Sequence, residues 1–281
     1  MQTKISFLLL GFFILVIGTG YLFSYVYGNS NILYFAVIFS VLMSSVSYWF
    51  SDKIILKMAK AREIKESENP EIYNILKNLC LKASLPLPKV YLIKEQQPNA
   101  FATGRNKNHA VVAVTEGLLA KLSRQELEGV IGHELSHIQN KDMLLQTMVV
   151  VLVGFISILS RWFLWGQIFG GRRNNQGGAL AILGLAAAIL APLAAMLIQL
   201  AISRKREFLA DASAAHLTLN PRGLASALEK IAADRNPMKT AQPATAHLYI
   251  VNPLKGGGIA KLFMTHPPVE ERVKALGVLR I

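Results

Sequence analysis

His133-Glu134-Leu135-Ser136-His137 spells H-E-x-x-H, and the rest of the chain can be placed by its distance from those five residues. On a helix, residues four apart lie on one face with Cβ atoms about 5–6 Å apart. Two imidazole nitrogens can then meet at one Zn²⁺, each at roughly 2.0–2.1 Å. Glu134, next to the first histidine, is placed to take a proton from a water activated by such a metal. Upstream, Ser123-Arg124-Gln125-Glu126 reads S-x-x-E, a capping box. It predicts a helix that carries Leu127, Val130 and Ile131 on an apolar side and the two histidines further along. The five letters therefore stand in the helical context that the chemistry requires.

Composition places this helix beside a membrane. Of 281 residues, 52% are hydrophobic and 17% charged, and the mean hydropathy is +0.37. Such a balance points to membrane segments. The single cysteine, Cys80, excludes an internal disulfide and leaves histidine and carboxylate as the expected metal ligands. Its apolar helical surroundings predict a buried thiol. The net charge of +13 is concentrated beside apolar runs, at Lys53, Lys57, Lys60, Arg62 and Lys65, and again at Arg204, Lys205 and Arg206. That pattern suits anionic lipid headgroups and positive-inside topology better than nucleic acid. No nucleic-acid motif, internal repeat or low-complexity tract is present.

Between Lys4 and Asp52 there is no charged residue. Ile5 to Tyr27 and Ile32 to Phe50 are each long enough to cross a bilayer. Gly28-Asn29-Ser30-Asn31 forms the turn between them. The first run lacks a clear small-residue cleavage site and exceeds a usual signal-peptide core, so an uncleaved hairpin is expected. The basic cluster from Lys53 to Lys65 assigns the following segment to the cytoplasm.

A second apolar pair follows the H-E-x-x-H helix. Met143 to Ser160 is uncharged, giving a span at about 143–165, and Ala179 to Ile202 gives one at about 179–202, with Pro192 as a tolerated kink. A flexible loop, Gly170 to Gly178, joins them. The alternative is a buried helical hairpin of a soluble domain. The chain thus divides into a transmembrane hairpin (1–50), a first catalytic part (51–142), a second hairpin (143–202) and a second catalytic part (203–281).

Within the first catalytic part, Asn69-Pro70 opens an amphipathic helix with Ile72, Ile75, Leu76 and Leu79 on one face. Val90 to Ile93 and Ala110 to Val114 read as strands, and Glu116 to Leu122 as a short helix. In the second part, Arg206 to His216 reads as a helix. Asn220-Pro221 opens another, and Pro267-Pro268 starts a terminal one over Val269 to Leu276. Asp234 to Pro268 shows no strong periodicity.

A catalytic zinc needs a third protein ligand and an open position. Six histidines are present: His109, His133, His137, His216, His247 and His266. Glu207 is the first carboxylate after the second apolar pair, and Asp211 follows on the same helical face. The two suit a ligand and a carboxylate that orients a ligating histidine. The competing reading makes Glu207 a partner of Arg204 or Arg206 on a solvated helix. Two adjacent spans return the chain to the side it left. At 1.5 Å per residue, His137 and Glu207 would lie about 9 Å and 8 Å from the ends of those spans.

His133 to Asp142, together with Ser203-Arg204-Lys205-Arg206-Glu207-Phe208-Leu209-Ala210-Asp211, resembles the M48 membrane metalloproteases of the HtpX type. Pro98-Asn99-Ala100-Phe101-Ala102-Thr103-Gly104 and Thr265-His266-Pro267-Pro268 match in type and order, so the resemblance covers nearly the whole chain. It implies a mainly α integral membrane protein with four transmembrane helices and an α+β zincin-like (gluzincin) domain with a small β-sheet. It implies one Zn²⁺ per subunit on His133, His137 and Glu207, with Glu134 as general base. Asp211 becomes an orienting residue and His266 a stabiliser of the oxyanion. Asn99, Ala100 and Phe101 line the substrate cleft, on an edge strand able to pair with an extended peptide. The implied activity is endopeptidase cleavage of misfolded or damaged membrane proteins under stress. The implied location is the bacterial cytoplasmic (inner) membrane, multi-pass, with the active site on the cytoplasmic side. Neither oligomeric state nor cleavage preference is legible. The rivals are a catalytically silent zinc-containing scaffold or chaperone, against which Glu134 argues, and a transporter. Against the latter, the first two spans hold none of the charged residues that a transport pathway usually carries.

Overall fold

The structure is a computed structural model that describes residues 2–140, 142–154, 204–242, 244–254 and 266–279. The expected fourth span, the loop before it and the later part of the third span, from residue 155 on, lie outside the described residues.

The chain begins with α1 (Gln2–Tyr27) and α2 (Asn31–Met58), joined at Gly28 (φ +61°). Both are long and apolar enough to cross a bilayer. They pack closely at Gly20, where an added Cβ would lie 2.3 Å from the Ala36 Cβ. The hydroxyls of Ser40, Ser44 and Ser47 donate back to carbonyls of their own helix, at 2.8, 2.8 and 2.9 Å, which makes these serines tolerable on a buried seam. Phe7, Leu10, Ile14, Tyr34, Phe35 and Ile38 point outward and are exposed. The helix α2 continues past the expected end at Phe50, so Lys53 and Lys57 ride on its last turns.

A four-stranded mixed sheet follows, built from β1 (Arg62–Glu63), β2 (Lys89–Ile93), β3 (Ala100–Gly104) and β4 (Ala110–Thr115) in the order β1-β2-β4-β3. After β2 the chain passes to the far edge, forms β3 and returns as β4, which pairs parallel with β2 and antiparallel with β3. That path leaves β3 at the edge. Alternation of side chains sends Ile93, Phe101, Val111 and Ala113 to one face and Val90, Ala100, Ala102, Val112 and Val114 to the other. Both faces are covered, which is why these strands read as continuous apolar runs.

One cover is α3 (Pro70–Ala83), α5 (Arg124–Gln139) and their neighbours; the short α4 (Glu116–Lys121) precedes α5. The other cover is the N-terminal hairpin with α6 (Asp142–Gly154). Leu145, Met148, Val149 and Leu152 of α6 share one core with Leu8 and Phe12 of α1, Ile55 of α2 and Phe101 of β3. The sheet is thus wedged between the hairpin and the helices that carry H-E-x-x-H. The second catalytic part supplies α7 (Arg204–Thr218), α8 (Pro221–Ala233) and α9 (Val269–Gly277). α7 and α8 pack on α5. The α5–α8 crossing is tight, because a Cβ on Gly129 would meet the Leu224 Cα at 2.8 Å. Cys80 is buried as expected, and burial pushes its thiol up to about 11.

Candidate active site

The capping box forms as its sequence requires. The Ser123 hydroxyl accepts from the Glu126 N–H at 3.5 Å, and the Glu126 carboxylate accepts from the Ser123 N–H at 2.8 Å. From this start α5 carries His133, Glu134 and His137 into the interior, where they are 1%, 2% and 6% exposed. α7 lies against α5 beside the small residues Gly132 and Ala214 and brings Glu207, 1% exposed, to the same point.

Three ligand atoms converge there. His133 Nε2 and His137 Nε2 are 3.1 Å apart, and the Glu207 oxygens lie 3.6 and 3.7 Å from them. Ligand atoms about 2.05 Å from one tetrahedral ion stand about 3.3 Å from each other. Glu207 Oε2 is buried and accepts no hydrogen bond among the described residues. A buried carboxylate oxygen left in this state is costly unless a cation sits against it. The donor set therefore fits one divalent cation, and among the described residues it is the only such cluster of histidine, cysteine and carboxylate groups.

The charges around the cluster divide its roles. Burial raises the Glu134 carboxyl above its ordinary value, while the neighbouring histidines and the Ala102 N–H, which donates to it, pull the other way. Burial also works against the Glu207 charge, but His266, His137, His133 and Arg272 outweigh it and hold that carboxyl down at about 2. For His266, burial dominates and lowers the imidazole to about 4, so it is neutral at pH 7. Its Nε2 lies 3.4 Å from Glu207 Oε2, at the edge of the cluster.

A second layer fixes the histidines. Asp211 Oδ1 is 2.9 Å from His133 Nδ1. Asp211 in turn accepts two hydrogen bonds from Arg272, from Nε at 2.8 Å and Nη2 at 2.6 Å. Arg272 is fully buried and donates through Nη1 to the Ile250 carbonyl at 2.8 Å. The sequence places Asp211 in this neighbourhood but does not single out Arg272. Its only signal is a lone arginine on the apolar side of the helix that follows His266-Pro267-Pro268. Asp142, Arg206 and His247 also escaped as site neighbours. His247 lies 2% exposed beside the Gln146 carbonyl at 3.4 Å, and burial lowers it to about 4.

β3 runs beside α5 with Ala102 facing Glu134. Antiparallel pairing turns the polar groups of alternate residues away from β4. In β3 these are Ala100, Ala102 and Gly104, since Asn99 accepts from the Thr115 N–H. The polar groups of Asn99 and Ala100 serve the chain's own segment. Asn99 Nδ2 donates to the Val251 carbonyl at 2.8 Å, and the Ala100 carbonyl accepts from the Ile250 N–H at 3.0 Å. Phe101 meets Tyr249 edge-on, with centroids 5.1 Å apart. Within the stretch without periodicity, Ala246 to Ile250 forms a buried strap beside the first residues of the edge.

The family model for peptidase family M48 matches residues 66–279, and the chain belongs to that family. Within it, the chain is similar to proteins named protease HtpX homolog. That of Syntrophobacter fumaroxidans is 50% identical over 256 residues, covering 89% of this chain and 90% of the relative. Those of Thermococcus kodakarensis and Pyrococcus furiosus are 50% and 48% identical over 265 and 267 residues, each covering 93% of this chain and 90% of the relative. The fold is shared with the crystal structure of S. mikatae Ste24p, at a TM-score of 0.53 and 19% identity. That likeness covers 92% of this chain, which spans 62% of the Ste24p chain.

Proposed function

We propose that the protein is an integral-membrane zinc endopeptidase, with one Zn²⁺ per subunit held by His133, His137 and Glu207. The observation that carries this reading is the buried convergence of those three ligands, with Glu134 between the histidines and Ala102 of the edge strand facing it. Bound there, Zn²⁺ supplies Lewis-acid polarisation of the scissile carbonyl and makes water a nucleophile at neutral pH. Glu134 accepts the water's proton and returns it to the leaving amine. Burial raises the carboxyl's pKa, which strengthens it as an acceptor of that proton. His266, neutral and adjacent, donates to the developing oxyanion. Asp211, clamped by Arg272, keeps His133 in the tautomer whose Nε2 faces the metal.

An extended substrate would add to the β3 edge. With Asn99 and Ala100 engaged by Val251 and Ile250 and the Ala102 N–H turned to Glu134, main-chain pairing falls on the Ala102 carbonyl and on Gly104, and Phe101 shapes the floor through Tyr249. Four spans, two of them at about 143–165 and 179–202, anchor the chain in a prokaryotic cytoplasmic membrane. The catalytic parts 51–142 and 203–281 then join on the cytoplasmic side. α6 begins at Asp142, close behind the ligand helix, which supports a site at the bilayer surface within reach of misfolded or damaged membrane proteins.

Metal analysis of protein purified in detergent tests the ligand set. Wild type should retain one zinc per chain and Glu207→Ala should lose it on mild chelation. Full zinc retention and activity in Glu207→Ala would remove the third ligand from the account.

A further inference from the structure

The two metal-facing histidines are not supported alike by their obvious neighbours. His133 has Asp211 at 2.9 Å behind its Nδ1, and Arg272 clamps that carboxylate. His137 is buried, and its Nδ1 makes no hydrogen bond among the described residues. With Nε2 turned to the metal cluster, Nδ1 must carry the proton. A buried N–H without an acceptor is costly. One carboxylate stands in reach: Asp142 Oδ2, 3.8 Å away, on a residue that is 3% exposed. The other oxygen of Asp142 accepts from Arg206 Nη1 at 2.8 Å. Histidine, aspartate and arginine therefore follow one another behind His137 as they do behind His133, with different residues.

The chain positions of this second set matter. Asp142 begins α6, just after the ligand helix, and Arg206 immediately precedes Glu207 on α7. The pair joins the two ends of the stretch that separates the ligands. When α7 docks so that Glu207 meets the histidines, Arg206 meets Asp142 in the same movement.

We infer that Asp142 is a positioning residue for the metal ligand His137, and that Arg206 holds it there while seating Glu207. Metal binding draws His137 Nδ1 onto Asp142 Oδ2 and closes the 3.8 Å gap to a hydrogen bond. This inference rests on the zinc reading above and deepens it.

The test measures zinc affinity of the full-length protein in detergent by competition with a chromophoric chelator, with Co²⁺ absorption as a second readout. Asp142→Ala should weaken zinc binding about 10–100-fold and alter the Co²⁺ spectrum. Asp142→Asn keeps an acceptor oxygen and should lose less. Arg206→Gln should weaken binding on its own and add little to Asp142→Ala, because the two act as one unit. Glu126→Gln is the control for mere structural support. Its carboxylate joins α5 to α8 through Lys230 at 2.8 Å, away from the cluster, so that variant should lose stability and keep wild-type zinc affinity. Wild-type zinc affinity in folded Asp142→Ala, or an equal loss in Glu126→Gln, would overturn the inference. If Asp142→Ala does not fold, wild-type affinity in both Asp142→Asn and Arg206→Gln overturns it instead. Failure of wild type to bind one zinc would overturn the metal reading along with it, a result distinct from a wild type that binds and a variant that binds equally well.

Discussion

Glu207 shows what a single residue can reveal before its fold is known. Its position after the second apolar pair made it a candidate, yet a partner for Arg204 or Arg206 was an equally physical reading. The structure places it 1% exposed against both histidines and leaves one oxygen without a hydrogen bond among the described residues. Arg272 carries only a weak signal, because an arginine in an amphipathic helix is ordinarily solvated. Its burial depends on Asp211, 61 residues away in sequence. Removing it should therefore be severe: Arg272→Ala leaves the Asp211 charge buried without its main partner and should cost about 3–5 kcal/mol in denaturant unfolding. Arg272→Lys should recover only part of that, since an ammonium cannot reproduce the two-point contact.

The helices were legible where their ends carry chemistry. Asn69 and Asn220 cap α3 and α8 by accepting from Ile72 and Gly223, and both stand before a proline, as the sequence suggested. β1, two residues long, has no periodicity to find. The strap over Ala246 to Ile250 is buried by what it touches, not by a pattern within it. Two predictions belong to the helix contacts. Gly129→Ala should cost about 1–3 kcal/mol by forcing α5 and α8 apart, measured by chemical denaturation. Glu126 makes the same contact pH-dependent. Burial opposes its charge, but Lys230, Ser226 and Ser123 hold its folded pKa at about 2, below an unfolded value near 4.3. Its stabilisation of about 2–3 kcal/mol is then complete above pH 5 and lost as the pH falls toward 2. The stability gap between wild type and Glu126→Gln should shrink over that range. A constant gap would show that the charge is not responsible.

At the scale of the molecule, the sheet joins two environments. One face belongs to the helices that hold the ligands, and the other to α1, α2 and α6. The hairpin was readable from composition because a bilayer demands long uncharged runs. Its packing against the sheet was not, since no local pattern tells which soluble face an apolar helix will meet. The proposed topology predicts that a protease added outside right-side-out vesicles leaves residues 51–142 intact and digests them once the vesicles are opened. Digestion in sealed vesicles would reverse the orientation. The central claim is peptide hydrolysis driven by Glu134 beside a zinc ion. The most direct test is cleavage of an unfolded protein substrate by purified wild type and Glu134→Gln, each with its zinc content measured. The account predicts equal zinc in both and a rate at least about 100-fold lower in the variant; equal cleavage by the two proteins would contradict it.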